Sequence, residues 1–174
     1  MSAKNESRAK EYFQEGMVEF VGQKYDKSIE VLNRAIASDS TFKLARLSRA
    51  TAYMKLDRLD EARVDFDRVI EIDPNYSKAY HMRGLVYERS GDQEAALIDF
   101  NKAIDLDPEY GAAYYSRANL HANMGNQDLA TEDIQMVTHL TNVNIESFAN
   151  ENNIWRSQHL KLEETGDLTD PMDR

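Results

Sequence analysis

The residues best suited to ionic chemistry stand in two evenly spaced columns. Arg49, Arg83 and Arg117 recur every 34 residues, and so do Asp65, Asp99 and Asp133. One step earlier the same places hold Glu15 and Val31, so both columns lose their charge together. This coupling predicts that the two residues meet, as a partly buried guanidinium–carboxylate pair with charge-assisted hydrogen bonds and N–O separations below about 4 Å. A row of arginines holding an anion is the rival chemistry, and aspartate in matching register argues against it. The four histidines, His81, His121, His139 and His159, lack the i, i+4 or short-loop spacing of a metal site. No Ser–His–Asp or paired-carboxylate set stands out from ordinary solvated helix faces, and the glycines are too scattered for a phosphate loop. The chain has no cysteine, which excludes thiol catalysis, disulfides and thiolate metal sites. The expectation is a non-enzyme with no catalytic residue, no metal and no cofactor.

Composition narrows the partners. Of 174 residues, 41% are hydrophobic and 30% charged, and 31 acidic against 21 basic residues give a formal net charge of −10. Nucleic acid is disfavoured, because phosphate binding needs a basic surface and no Lys or Arg run is present. No stretch reaches the roughly 18 to 20 apolar residues of a membrane span. The opening MSAKNESRAKEYF lacks the apolar core of a signal peptide. Together with the absence of cysteine, these features predict a cytoplasmic protein that does not insert into membranes.

The elements that must position these columns follow from the same period. Aligning on Pro74 and Pro108 divides the chain without gaps into Ala9–Phe42, Lys43–Tyr76, Ser77–Tyr110 and Gly111–Asn144. One column holds Tyr12, Arg46, Tyr80 and Tyr114. Another holds the small residues Gly16, Ala50, Gly84 and Ala118, and a third Ser28, Ala62, Ala96 and Ala130. Leu32, Phe66, Phe100 and Ile134 follow, then Ala35, Val69, Ala103 and Val137. Small residues let helices approach closely and large ones fill the hollows beside them, so each unit reads as helix, short turn, helix. Gly91 and Gly125 fit the turn, Pro74 and Pro108 end the second helix, and no segment alternates like a strand.

This pattern over Ala9–Asn144 resembles the tetratricopeptide repeat family, with Tyr80, Gly84, Tyr87, Ala96, Phe100, Ala103 and Pro108 matching its signature. The departures are Ser40 and Asn142 at the proline position and His121 at the second aromatic, where packing is its expected role. The resemblance implies an all-α fold, a right-handed superhelical solenoid of four repeats. Carrying the step further puts Phe148 and Trp155 in the aromatic columns, so 145–162 is expected to form a capping helix. Residues 1–8 are expected to be a flexible N-terminus and the acidic 163–174 a disordered tail.

In this family the first helix of each repeat lines a concave groove that binds protein segments. The matching positions are Phe13, Met17 and Phe20, then Leu47, Thr51 and Met54, then His81, Leu85 and Glu88, then Tyr115, Asn119 and Ala122, with Met82 adjacent. The first half is apolar and the second polar. Flexible methionines beside aromatics suit recognition of an apolar or amphipathic segment. The groove expectation therefore comprises Phe13, Met17, Leu47, Met54, His81, Met82, Leu85, Tyr115 and Asn119. Family members that clamp the acidic tails of heat-shock chaperones use positions occupied here by Phe13, Met17, Ser48, Lys78 and Met82, and only Lys78 agrees. The resemblance thus implies a scaffold that binds a peptide or helix of another protein, without the chaperone-tail clamp. The alternative is a self-assembling homo-oligomer joined through its ends or its apolar groove.

Overall fold

A computed structural model describes residues 3–144 together with residue 147. It contains α1 (Ala3–Val21), α2 (Tyr25–Ser38), α3 (Lys43–Lys55), α4 (Leu59–Ile72), α5 (Ser77–Arg89), α6 (Gln93–Leu106) and α7 (Gly111–Asn123). An eighth helix, α8, runs over 127–144. No strand occurs among the described residues. Each of α1 to α7 packs on its neighbours in sequence, and α1 touches α3 as α5 touches α7, so the helices stack as pairs in an all-α solenoid.

The small-residue columns produce the close approach. A Cβ placed on Gly84 would lie 2.6 Å from Cε1 of Phe100, and one on Gly16 would lie 2.8 Å from Cγ of Leu32. The large residues opposite are sealed: Leu32, Phe66 and Phe100 are all fully buried. Removing a side chain of that size from water contributes about 1.5–3 kcal/mol each. Phe66 shares its cluster with Leu47, Ala50 and Met54 of its own repeat and with Ala79 and Val86 of the next, so the core is continuous between repeats.

Turn chemistry repeats as faithfully as packing. Gly91 and Gly125 both adopt φ of +84°, and the same column holds Gln23 at +60° and Asp57 at +59°. All four turns are therefore left-handed, although only two carry the glycine that favours this geometry. At the other junction, the carboxylates of Asp39, Asp73 and Asp107 accept from the backbone N–H two residues on. This Asx-turn explains why the first repeat turns correctly with Ser40 where proline stands elsewhere. In the fourth repeat Thr141 replaces that aspartate, and its hydroxyl donates to the Val137 carbonyl within the helix. α8 accordingly continues through 144, where the period calls for a turn. Apart from residue 147, which is helical, the capping helix expected at 145–162 and the tail at 163–174 lie outside the described residues, as do residues 1 and 2. The rest of the N-terminal segment expected to be flexible, residues 3–8, is instead the start of α1.

Candidate functional site

The Arg–Asp columns form the predicted pairs. Arg49 donates to both oxygens of Asp65, at 2.7 Å from Nε and 2.5 Å from Nη2. Arg83 holds Asp99 at 2.7 Å twice, and Arg117 holds Asp133 at 2.9 and 2.6 Å. The three aspartates are buried, and this fork-on-fork geometry leaves each guanidinium one free edge. That edge reaches the preceding repeat: Nη1 of Arg49 donates to Asn33 at 2.6 Å, that of Arg83 to Asp67 at 2.7 Å, and that of Arg117 to Asn101 at 2.6 Å. Asn33, Asp67 and Asn101 are themselves a 34-residue column, a signal present in the sequence that pairwise reasoning overlooked. Each arginine therefore ties three helices, and aromatic rings of Tyr53, Tyr80, Tyr87 and Tyr114 lie within 6 Å of the guanidiniums. The hydrogen bonds to Asp99 and then Asp67 raise the Arg83 pKa above its already high ordinary value. Each of these guanidiniums already pairs with a buried carboxylate and reaches the preceding repeat with a third hydrogen bond, which argues against an anion-binding row.

A second polar cluster joins repeats three and four. His81 is 6% exposed, with Nδ1 2.9 Å from the Tyr110 hydroxyl and Nε2 2.9 Å from Oγ of Ser116. Burial, helped by the nearby Lys78 ammonium, lowers its pKa to about 4. A serine hydroxyl beside an imidazole superficially resembles a nucleophile with its base. An imidazole held this acidic is a poor base near neutrality, and Ser116 is itself buried. The trio works as a bridge between α5 and α7. His81 is thus brought beneath the groove rather than onto its surface, because Tyr110 at the end of its own repeat and Ser116 of the next pair with its ring nitrogens. His121 is half-buried in its packing column.

The apolar half of the groove closes into one cup of about 180 Å³ between α1, α3 and α5. Met17, Phe20, Leu47 and Met82 form its walls together with Leu44, which is 49% exposed. Ser48 and Thr51 complete the floor, and the Thr51 hydroxyl is occupied by the Leu47 carbonyl at 2.8 Å. Tyr76 and Lys78 stand at the rim. Of the expected groove residues, Met17, Leu47 and Met82 meet here. Phe13 packs on Phe42 at 5.1 Å between ring centroids, Met54 is buried, and Leu85 is half-buried against the cluster below. Tyr115 is 55% exposed, and Asn119 lines a separate hollow of about 270 Å³ with Ala118, Ala130 and Ile134. Leu44, Tyr76 and Lys78 were not among the expected residues. Leu44 and Lys78 share a column with Lys10, three positions before the family's groove position, where the amino ends of α3 and α5 flank the cup. Farther along α5, burial raises the pKa of Glu88.

Among the described residues no group of three or more His, Asp or Glu could hold a metal, and no helix is long and apolar enough to cross a membrane.

Comparison with known proteins agrees with this architecture. Two family profiles, each described as tetratricopeptide repeat, match residues 40–109 and 100–132, together more than half of the chain. No curated protein sequence matches. Among solved structures, MamA is similar at 22% identity, covering 79% of this chain and 81% of that one with a TM-score of 0.73. The first such domain of Spaghetti (RPAP3), solved bound to an HSP90 peptide, is 22% identical, covers 69% and 95%, and has a TM-score of 0.66. The Arabidopsis OM64 domain is 24% identical, covers 68% and 98%, and has a TM-score of 0.66. Paired helices, interlocking small and large columns and the matched profiles together make this chain a member of the tetratricopeptide repeat family.

Proposed function

We propose that the chain is a non-catalytic protein-interaction scaffold that captures a peptide or amphipathic helix of another protein in its concave groove. The cup between α1, α3 and α5 is the observation that carries this reading. Soluble helices ordinarily present one apolar stripe to their own core. Here α1 and α3 have a second one, with Met17, Phe20, Leu44 and Leu47 gathered around a hollow. Methionine lining adapts to different side chains, as recognition of an amphipathic segment requires. The Spaghetti domain, solved bound to an HSP90 peptide, supports peptide capture as a use of this fold. The cup differs in chemistry from a chaperone-tail clamp, since Lys78 is its only cationic lining residue. A cytoplasmic setting fits this role.

The test is capture from the native lysate followed by mass spectrometry. Leu44→Asp with Met82→Asp is the appropriate groove variant, because Leu44 is half-exposed whereas Leu47 is buried and its replacement disturbs the core. Proteins retained by the wild-type chain should disappear with the variant while its helical circular dichroism is unchanged. Identical retention by both would place the binding surface elsewhere. Self-assembly is the alternative use of the same apolar surface. A molecular mass in light scattering that rises with concentration in the wild type, and not in the groove variant, would favour it.

A further inference from the structure

The face made by α7 and α8 has the shape of a contact between repeats. Ile134 stands in the column where Leu32, Phe66 and Phe100 are fully buried, yet it is 42% exposed. With Ala118, Ala130 and Thr131 it lines the hollow of about 270 Å³. The equivalent surfaces of the second and third repeats are covered by the first helix that follows. Val86 packs in the cluster of Ala50, Ala62 and Phe66, and Leu120 in that of Ala96 and Phe100. A small residue near the start of each such helix belongs to the same contact: Ala45, Ala79 and Ala113 are fully buried beside Ala35, Val69 and Ala103 of the preceding repeat. Burial in these columns depends on that neighbour. Val18 shares a column with Ala52, Val86 and Leu120 but lies on the first helix of the stack, and it is 71% exposed where they are buried.

The residues that follow α8 continue the contacting columns. Ser147 is small where Ala113 stands, Ile154 is apolar where Leu120 stands, and Glu151 takes the place of Arg117. The partner of that last position changes with it. The arginines reach Asn33, Asp67 and Asn101 in the preceding repeat, and the next member of that column is the exposed Gln135, whose amide can donate to a carboxylate. In this structure 141–144 is helical, where 39–42, 73–76 and 107–110 turn, and Ser147 is exposed. Thr141, Asn142, Val143 and Asn144 are all exposed and all poor helix formers, so this last turn of α8 opens at small cost.

We infer that the segment 145–162 of this chain turns back at 141–144 and docks on its own α7–α8 face. Ile154 enters the hollow against Ile134, Glu151 accepts from Gln135, and Ser147 lies beside Val137. This intramolecular contact is separate from the groove and stands whatever the groove binds.

Trp155, the chain's single tryptophan, follows Ile154 and reports the docking. Its column holds Tyr53, Tyr87 and His121, all half-buried. Emission and acrylamide quenching should be measured on the full-length wild type, on Ile134→Asp, on Ile154→Asp and on Met136→Asp, an exposed α8 residue outside the hollow. Wild type and Met136→Asp should emit at shorter wavelength and quench less than the urea-unfolded chain. Ile134→Asp and Ile154→Asp should both move to the unfolded values while helical circular dichroism is kept, and the second does so without altering the described helices. Thr141→Asp with Asn142→Pro, which installs the Asp-Pro of the second and third repeats, should retain or increase the protection, because proline interrupts α8 where the turn is needed. Loss of protection in that variant would overturn the inference. So would a wild-type tryptophan as exposed as in urea, which leaves the hollow to a partner protein, or protection that survives both aspartate substitutions. Protection that disappears on dilution would assign the hollow to a second copy of the chain and overturn it equally.

Discussion

Replacing Arg83 with methionine removes a guanidinium each of whose three nitrogens donates to a carboxylate, while keeping much of the length and apolar character of its stem. Asp99, with its side chain 3% exposed, then keeps its charge in the core with no cation, and Asp67 loses the bond that joined it to the next repeat. Leaving one partner of a buried pair uncompensated destabilises by about 3–5 kcal/mol. Asp67 provides an internal control, because it also pairs with Arg63 at 3.2 Å across a surface where both side chains are at least one-third exposed. Removing Arg63 should cost about 1 kcal/mol or less. Urea unfolding followed by circular dichroism at 222 nm measures both. Since repeat stacks are coupled mainly between neighbours, the Arg83→Met transition should also broaden as the third and fourth repeats melt early. Adding Asp99→Leu to Arg83→Met should recover most of the loss, because the stranded charge is gone. If Arg83→Met falls within 1 kcal/mol of Arg63→Met, the three-helix tie is ornamental and the reasoning fails.

Three further outcomes follow from other parts of the stack. The folded chain keeps His81 neutral down to about 4 against an ordinary 6.5, so the unfolded state binds more protons between those values. Its share of stability is thus complete above pH 6.5 and lost as pH falls towards 4, by about 3 kcal/mol; urea midpoints across this range should fall more steeply for the wild type than for His81→Gln, and parallel curves would refute the assignment. Gln23→Gly relieves a left-handed residue and should raise stability by about 0.5–1 kcal/mol in the same urea assay, with no gain counting against strain at that turn. Gly84→Val drives extra carbons into Phe100 and should cost about 1–3 kcal/mol, whereas a neutral result would mean that α5 and α6 separate freely.

The period, the helix pairs and the Arg–Asp contact were legible because each depends on residues a fixed step apart, and repetition lets one copy interpret another. The third partner of each arginine escaped notice because its column mixes Asn33 and Asn101 with Asp67, which share hydrogen-bonding capacity but not charge. The left-handed turns at Gln23 and Asp57 were hidden for a related reason: backbone geometry imposed by the stack overrides local preference there. Thr141 in place of aspartate was the signal for the longer α8, and attention to the missing proline at Asn142 obscured it. Groove residues were harder still. Column logic singled out the first helix of each repeat, yet whether a side chain there faces out or downward depends on what its neighbours in the stack offer. His81 turns down because Tyr110 and Ser116 receive it, whereas Leu44 stays half-exposed in the lining of the cup.

The most direct measurement of the central claim uses the seven methionines as reporters. Methyl-labelled full-length chain should be titrated with a fragment of a captured partner and followed by carbon–proton correlation spectra. Met17 and Met82 should shift first and furthest, with Met124 and Met136, which lie away from the cup, unmoved. Shifts confined to Met124 and Met136, with Met17 and Met82 unchanged at saturation, would contradict the groove as the binding surface.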